Sequence, residues 1–124
     1  PGEVRDALDA TVRLQHDLPE LLQARPSQVT TRLDQAPPLA LYLVDLLEPP
    51  EPIRAMLRQY LEKWRKVLPA TNGNTLRAMG LPPGPHYRLI LGALRTAWLD
   101  GEIISIEEEN QMLQEMILRL PDTL

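Results

Sequence analysis

The sequence predicts an all-α protein, a compact multi-helix bundle with no β-sheet. Three observations predict it. Leu dominates the apolar residues while β-branched runs are scarce, which favours helices over strands. Thirteen prolines divide the 124 residues into helix-length pieces. Within those pieces apolar residues recur three and four apart. The length suits one domain with a single core. Hydrophobic residues make up 44% of the chain, aromatics only 4%, and Phe is absent, so the core should be aliphatic.

Residues 3–16 read as a first amphipathic helix with Val4, Leu8, Val12 and Leu14 on its apolar side. Pro19 opens a short second helix through Leu22, and Ser27 is the expected N-cap of a third carrying Val29 and Leu33. Pro37-Pro38 opens Leu39–Leu47, apolar nearly all round and therefore expected to be central. After Pro49-Pro50-Glu51-Pro52 a long helix should run from Ile53 to Leu68, with Ile53, Leu57, Tyr60, Trp64 and Val67 on one stripe. Asn72-Gly73-Asn74 reads as a turn and Thr75–Met79 as one helical turn, closed by Gly80 in the left-handed conformation. Pro85 suits the first position of the next helix, which carries Tyr87, Leu91, Leu94 and Trp98 inward and ends at Gly101. Trp64 and Trp98 are both expected to be largely buried. Ser105 and Glu108 form a capping box for the last helix, which ends before Pro121.

The net charge of −4 conceals an uneven distribution. Residues 52–99 hold eight bases against one acid, Glu62, and the remainder five bases against sixteen acids. A basic centre of this kind points to a nucleic-acid partner, or to pairing with the flanking acids. Arg54, Arg58 and Arg65 share a stripe of one predicted helix, with Lys66 beside them. Arg88 and Arg95 share a face of another, and Arg77 lies between. Stripes of this kind would track a phosphate backbone.

No catalytic constellation is visible. His16 and His86 have no metal-ligand partner at helical spacing and read as solvated. Glu107, Glu108 and Glu109 point in different directions on a helix and suit its positive N-terminus rather than a metal. No phosphate-binding glycine loop appears. The segment Thr75–Pro85 resembles a helix-hairpin-helix, whose loop can offer N–H groups to phosphate. Its prolines remove several of those donors, which favours a structural hinge. Cys is absent, no signal peptide is visible, and no apolar run is long enough for a membrane span. A cytoplasmic setting is expected. The start at Pro1 without Met suggests a fragment of a larger protein.

A more specific pattern lies between residues 60 and 103. It comprises Tyr60-Leu61 with Trp64-Arg65, Val67 and Pro69, then Gly73, Leu76, Gly80-Leu81, Pro83-Gly84-Pro85, and finally Leu99-Asp100-Gly101-Glu102-Ile103. This resembles the C-terminal helical region of bacterial tRNA nucleotidyltransferases of the poly(A) polymerase family, the CCA-adding type. The resemblance implies a body- or tail-like helical domain that grips the acceptor stem and elbow of tRNA by its backbone. Catalysis would belong to a head domain outside this segment, with Mg²⁺ and CTP or ATP required there and no cofactor here. Thr75 stands where the family commonly has an acid.

The expected unit is thus a single helical RNA-binding domain over residues 1–124. Its expected RNA-binding residues are Arg54, Arg58, Arg65, Lys66, Arg77, Arg88 and Arg95. Its structural motif residues are Trp64, Gly73, Gly80, Pro83, Gly84, Pro85 and Gly101. Expected partners are tRNA and other domains of the parent chain, with a homo-oligomer left open and no membrane. The rival is a structural or protein-interaction domain without RNA contact.

Overall fold

The computed structural model describes residues 2–121. Seven α-helices and no strand occur among them, as the sequence predicts. The chain divides into two compact units, one ending at Lys66 and the other beginning at Val67.

The first unit holds α1 (Gly2–Leu21), α2 (Pro26–Asp34), α3 (Pro38–Leu46) and α4 (Ile53–Glu62). Its core joins Leu14, Leu18, Val29, Leu33, Val44, Met56, Leu57 and Tyr60. Pro19 does not start a new helix but lies in the last turn of α1. There its missing N–H forfeits only one bond, and the amides of Leu22, Gln23 and Ala24 close the turn on the carbonyls of Pro19, Glu20 and Leu21.

The buried face of α1 also differs from the expected one. Ala7, Ala10, Thr11, Leu14 and Leu18 face inward, whereas Val4, Leu8 and Val12 are between 52% and 65% exposed. The small residues let α3 lie close, with its own Ala40 and Val44 buried. Thr11 is accommodated because its hydroxyl donates to the Ala7 carbonyl at 2.7 Å. Helix α3 is not central, since Leu39, Tyr42 and Leu46 are exposed.

The N-cap of α2 is Arg25 rather than Ser27, which is buried. Gln28 Oε1 accepts the Arg25 N–H at 3.0 Å. Arg32 Nε donates to Asp17 at 3.0 Å, linking α2 to α1, and the Tyr60 hydroxyl donates to Asp34 at 2.6 Å, linking α4 to α2. Helix α4 is shorter than the pattern suggests. It ends at Glu62, and a 3₁₀ turn over Trp64–Lys66 follows. Such tightening is common at helix C-termini. It carries Trp64, half-buried rather than buried, against the edge of the core.

The second unit holds α5 (Gly73–Ala78), α6 (Pro85–Leu99) and α7 (Ile106–Leu118) around Leu76, Ile90, Leu94 and Leu113. Residues 72–74 are the start of α5 and not a free turn. Asn72 Oδ1 accepts from Thr75 N at 3.0 Å, and Thr75 Oγ1 accepts from Asn72 N at 3.2 Å. Gly80 ends α5 at φ 90°, where a side chain would be strained. The Gly80 and Leu81 amides return to Arg77 and Leu76, the two bonds of a Schellman motif. Gly101 repeats this after α6 at φ 76°, its amide and that of Glu102 returning to Trp98 and Ala97. Pro85 occupies the first turn of α6 as expected. A side chain on Gly84 would collide with the His86 ring, with atoms 2.9 and 3.0 Å from the added carbon. His86 is itself half-buried, not solvated as expected.

Ser105 caps α7 by accepting from Glu108 N at 3.1 Å, but the expected capping box is only half formed, since Glu108 Oε1 accepts from Ile104 N rather than from Ser105 N. Ser105→Ala should therefore lower stability by about 1 kcal/mol, read as a lower thermal midpoint by helical circular dichroism.

Glu109 has a different role from its neighbours. It is fully buried. Its Oε1 accepts from Trp98 Nε1 at 2.6 Å and Ala70 N at 3.0 Å. Its Oε2 accepts from Thr71 Oγ1 at 2.7 Å and Thr71 N at 2.9 Å. One carboxylate thus ties the non-helical segment before α5 to α6 and α7. Trp98 is half-buried, and this bond explains its placement better than burial among Leu and Ile.

Candidate nucleic-acid interface

The basic residues separate into an exposed set and a bonded set. Helix α4 presents Arg54 and Arg58 four residues apart on one exposed side. Arg58 lies 4.0 Å from Glu51, both largely exposed, a pair too open to neutralise it. Arg65 does not continue this stripe, because α4 has ended. Its Nε donates to the Leu61 carbonyl at 2.7 Å, closing the end of the helix. Lys66 follows it, exposed.

In the second unit Arg77 on α5 and Arg88 on α6 are exposed. Arg95 shares the Arg88 face, two helical turns on, but is half-buried, and its Nε donates to the Val67 carbonyl at 2.8 Å. That bond commits part of its guanidinium to holding the chain in place. Arg54, Lys66, Arg77 and Arg88 have no carboxylate within 4.0 Å among the described residues. The Arg54 and Arg88 groups fall in different units.

The motif residues are chiefly architectural. Gly80 and Gly101 end helices, Pro85 starts one, and Gly84 makes room for a ring. Gly73 opens α5, and Pro83 lies exposed in the loop before α6. That loop is braced by the Tyr87 hydroxyl, which donates to the Leu81 carbonyl at 2.5 Å.

The perturbed carboxylates serve structure. Burial pushes the Glu109 carboxyl up, but the bonds from Trp98, Thr71 and Ala70 outweigh it and leave it below its ordinary range. The Arg32 bond, with His16 beside it, lowers Asp17. The role of Glu109 was missed in the sequence because its charge reads equally well as a helix-dipole partner. No helix of the described residues is long and apolar enough to cross a membrane.

Both units are helical, and both carry bases on their surfaces; by sequence, the chain is distantly related to tRNA nucleotidyltransferases. The relative that shows this is the A-adding tRNA nucleotidyltransferase of Geobacter sulfurreducens, 30% identical over 88 residues. Those residues are 71% of this chain but 9% of that protein, so the chain spans a small part of its relative. No family model matches the chain. No solved structure matches it.

Proposed function

We propose that this chain is an RNA-holding helical part of a larger tRNA nucleotidyltransferase-like protein. It grips the acceptor stem and elbow of tRNA through phosphate and sugar, while a separate head performs nucleotide addition with Mg²⁺ and CTP or ATP. The observation that carries this reading is the set of exposed, unneutralised bases Arg54, Lys66, Arg77 and Arg88. Guanidinium groups left without carboxylate partners are available to phosphate oxygens, which they can take two at a time. Contacts of this kind read A-form shape rather than base sequence. The relationship to a tRNA nucleotidyltransferase supports tRNA as the RNA.

A scaffold role remains the rival, favoured by the exposed apolar residues Val4, Leu8 and Val12 on α1 and Leu39, Tyr42 and Leu46 on α3. Salt dependence separates the two. Filter binding of tRNA at several salt concentrations should compare the chain with R54Q/R58Q and R77Q/R88Q. Arg65 and Arg95 are left intact because they hold backbone carbonyls. Each double variant should bind roughly tenfold more weakly. The slope of log affinity against log salt should flatten by about 0.7–0.9 for each phosphate that the variant no longer neutralises. Unchanged affinity and slope in both would leave the scaffold reading in front.

A further inference from the structure

One face of α6 carries Arg88, Leu91, Gly92 and Arg95, spaced at i, i+3, i+4 and i+7. Opposite it lie Leu68 and Pro69, and the groove between measures ≈ 500 Å³. Its lining is mostly apolar and includes Arg88 and Arg95.

The wall is held in place. Glu109 grips the Ala70 and Thr71 amides, and Arg95 grips the Val67 carbonyl. A groove fixed in this way needs no ordering when something enters it.

Gly92 is the informative residue. It lies inside a 15-residue helix, where glycine is less favourable than alanine. An added carbon there would meet nothing within 4 Å, so the chain's own packing does not require glycine. A bare backbone in the floor of a groove suits the close approach of another molecule.

We propose that this groove receives a single unstacked RNA nucleotide, with its base laid on Leu91, Gly92 and Pro69 and its phosphate at Arg88. The proposal rests on the RNA reading above and adds to it a contact that double-helical RNA cannot make. Charge selects the occupant. Arg88 has no carboxylate within 4.0 Å among the described residues, and a nucleotide brings both a flat apolar face and an anion.

The test uses the full 124-residue chain with three RNAs. These are a short blunt duplex, the same duplex with one bulged nucleotide, and the same duplex with one unpaired terminal nucleotide. The chain should prefer at least one of the unpaired probes over the blunt duplex by roughly tenfold. Gly92→Leu should erase the preference while leaving duplex affinity unchanged. Gly92→Ala should raise the thermal midpoint and weaken the preference, showing that the loss does not come from misfolding. Duplex binding without a preference, or a preference that survives Gly92→Leu, overturns the groove proposal and spares the RNA reading. Failure to bind all three RNAs overturns both. Saturable binding of an acidic Leu-rich peptide, blocked by Gly92→Leu where RNA does not bind, assigns the groove to a protein partner and overturns the proposal.

Discussion

Glu109→Ala should destabilise the second unit by about 3 kcal/mol, because it strips the acceptor from several neutral donors, each costing about 1–3 kcal/mol when left buried and unsatisfied. The substitution leaves the buried Thr71 amide, and the part-buried Ala70 amide and Trp98 indole N–H, without an acceptor. The Thr71 amide then carries the full desolvation penalty of an unsatisfied buried group, and the part-buried donors carry a smaller one. Glu109→Gln keeps the shape, but one oxygen becomes an NH₂ facing N–H groups. The Thr71 hydroxyl can turn to accept, whereas the amides and the indole cannot. A smaller loss of about 2 kcal/mol is expected. Urea unfolding followed by tryptophan fluorescence measures both. The carboxylate also makes stability depend on pH. Its folded-state pKa lies below the unfolded one, so its contribution is complete above the ordinary carboxylate range and is lost as pH falls through the depressed value. The acid loss should disappear in Glu109→Gln.

Leu14→Ala should cost about 3–5 kcal/mol, whereas Val12→Ala should stay within about 0.5 kcal/mol. Leu14 is fully buried in the first core and Val12 is exposed. Both belong to the apolar side that periodicity selects, so the pair separates the true face of α1 from the apparent one. Chemical denaturation of the two variants provides the comparison. Similar large losses for both would mean that Val12 is covered in solution.

What was legible in the sequence was what is decided locally. The Gly80 and Gly101 helix ends, the Ser105 cap and the Pro85 start depend on residues within one or two turns, and all occur as expected. Helix faces are decided by partners. In α1 the branched residues looked like the buried side, but the close approach of α3 rewards Ala7 and Ala10. The end of α4 has no Gly or Pro to announce it. Among the candidate RNA residues, exposure of Arg54, Arg58 and Arg88 was readable from helical spacing. The carbonyl bonds of Arg65 and Arg95 were not, since one depends on the helix end and the other on a residue 28 positions away. Glu109 was the hardest to read, for its partners lie 11 to 39 residues from it.

The segment from Val67 to Asn72 has no helix of its own, yet it is the stretch by which the chain enters the second unit. Mechanically it is an anchored cable rather than slack. A pull applied at Val67 meets the Arg95 bond first and then the Glu109 bonds at Ala70 and Thr71. Until these break, the segment cannot lengthen, and the load passes through Trp98 and Glu109 into α6 and α7. The point where force enters this unit is therefore a stretch of irregular backbone tied down at Val67, Ala70 and Thr71.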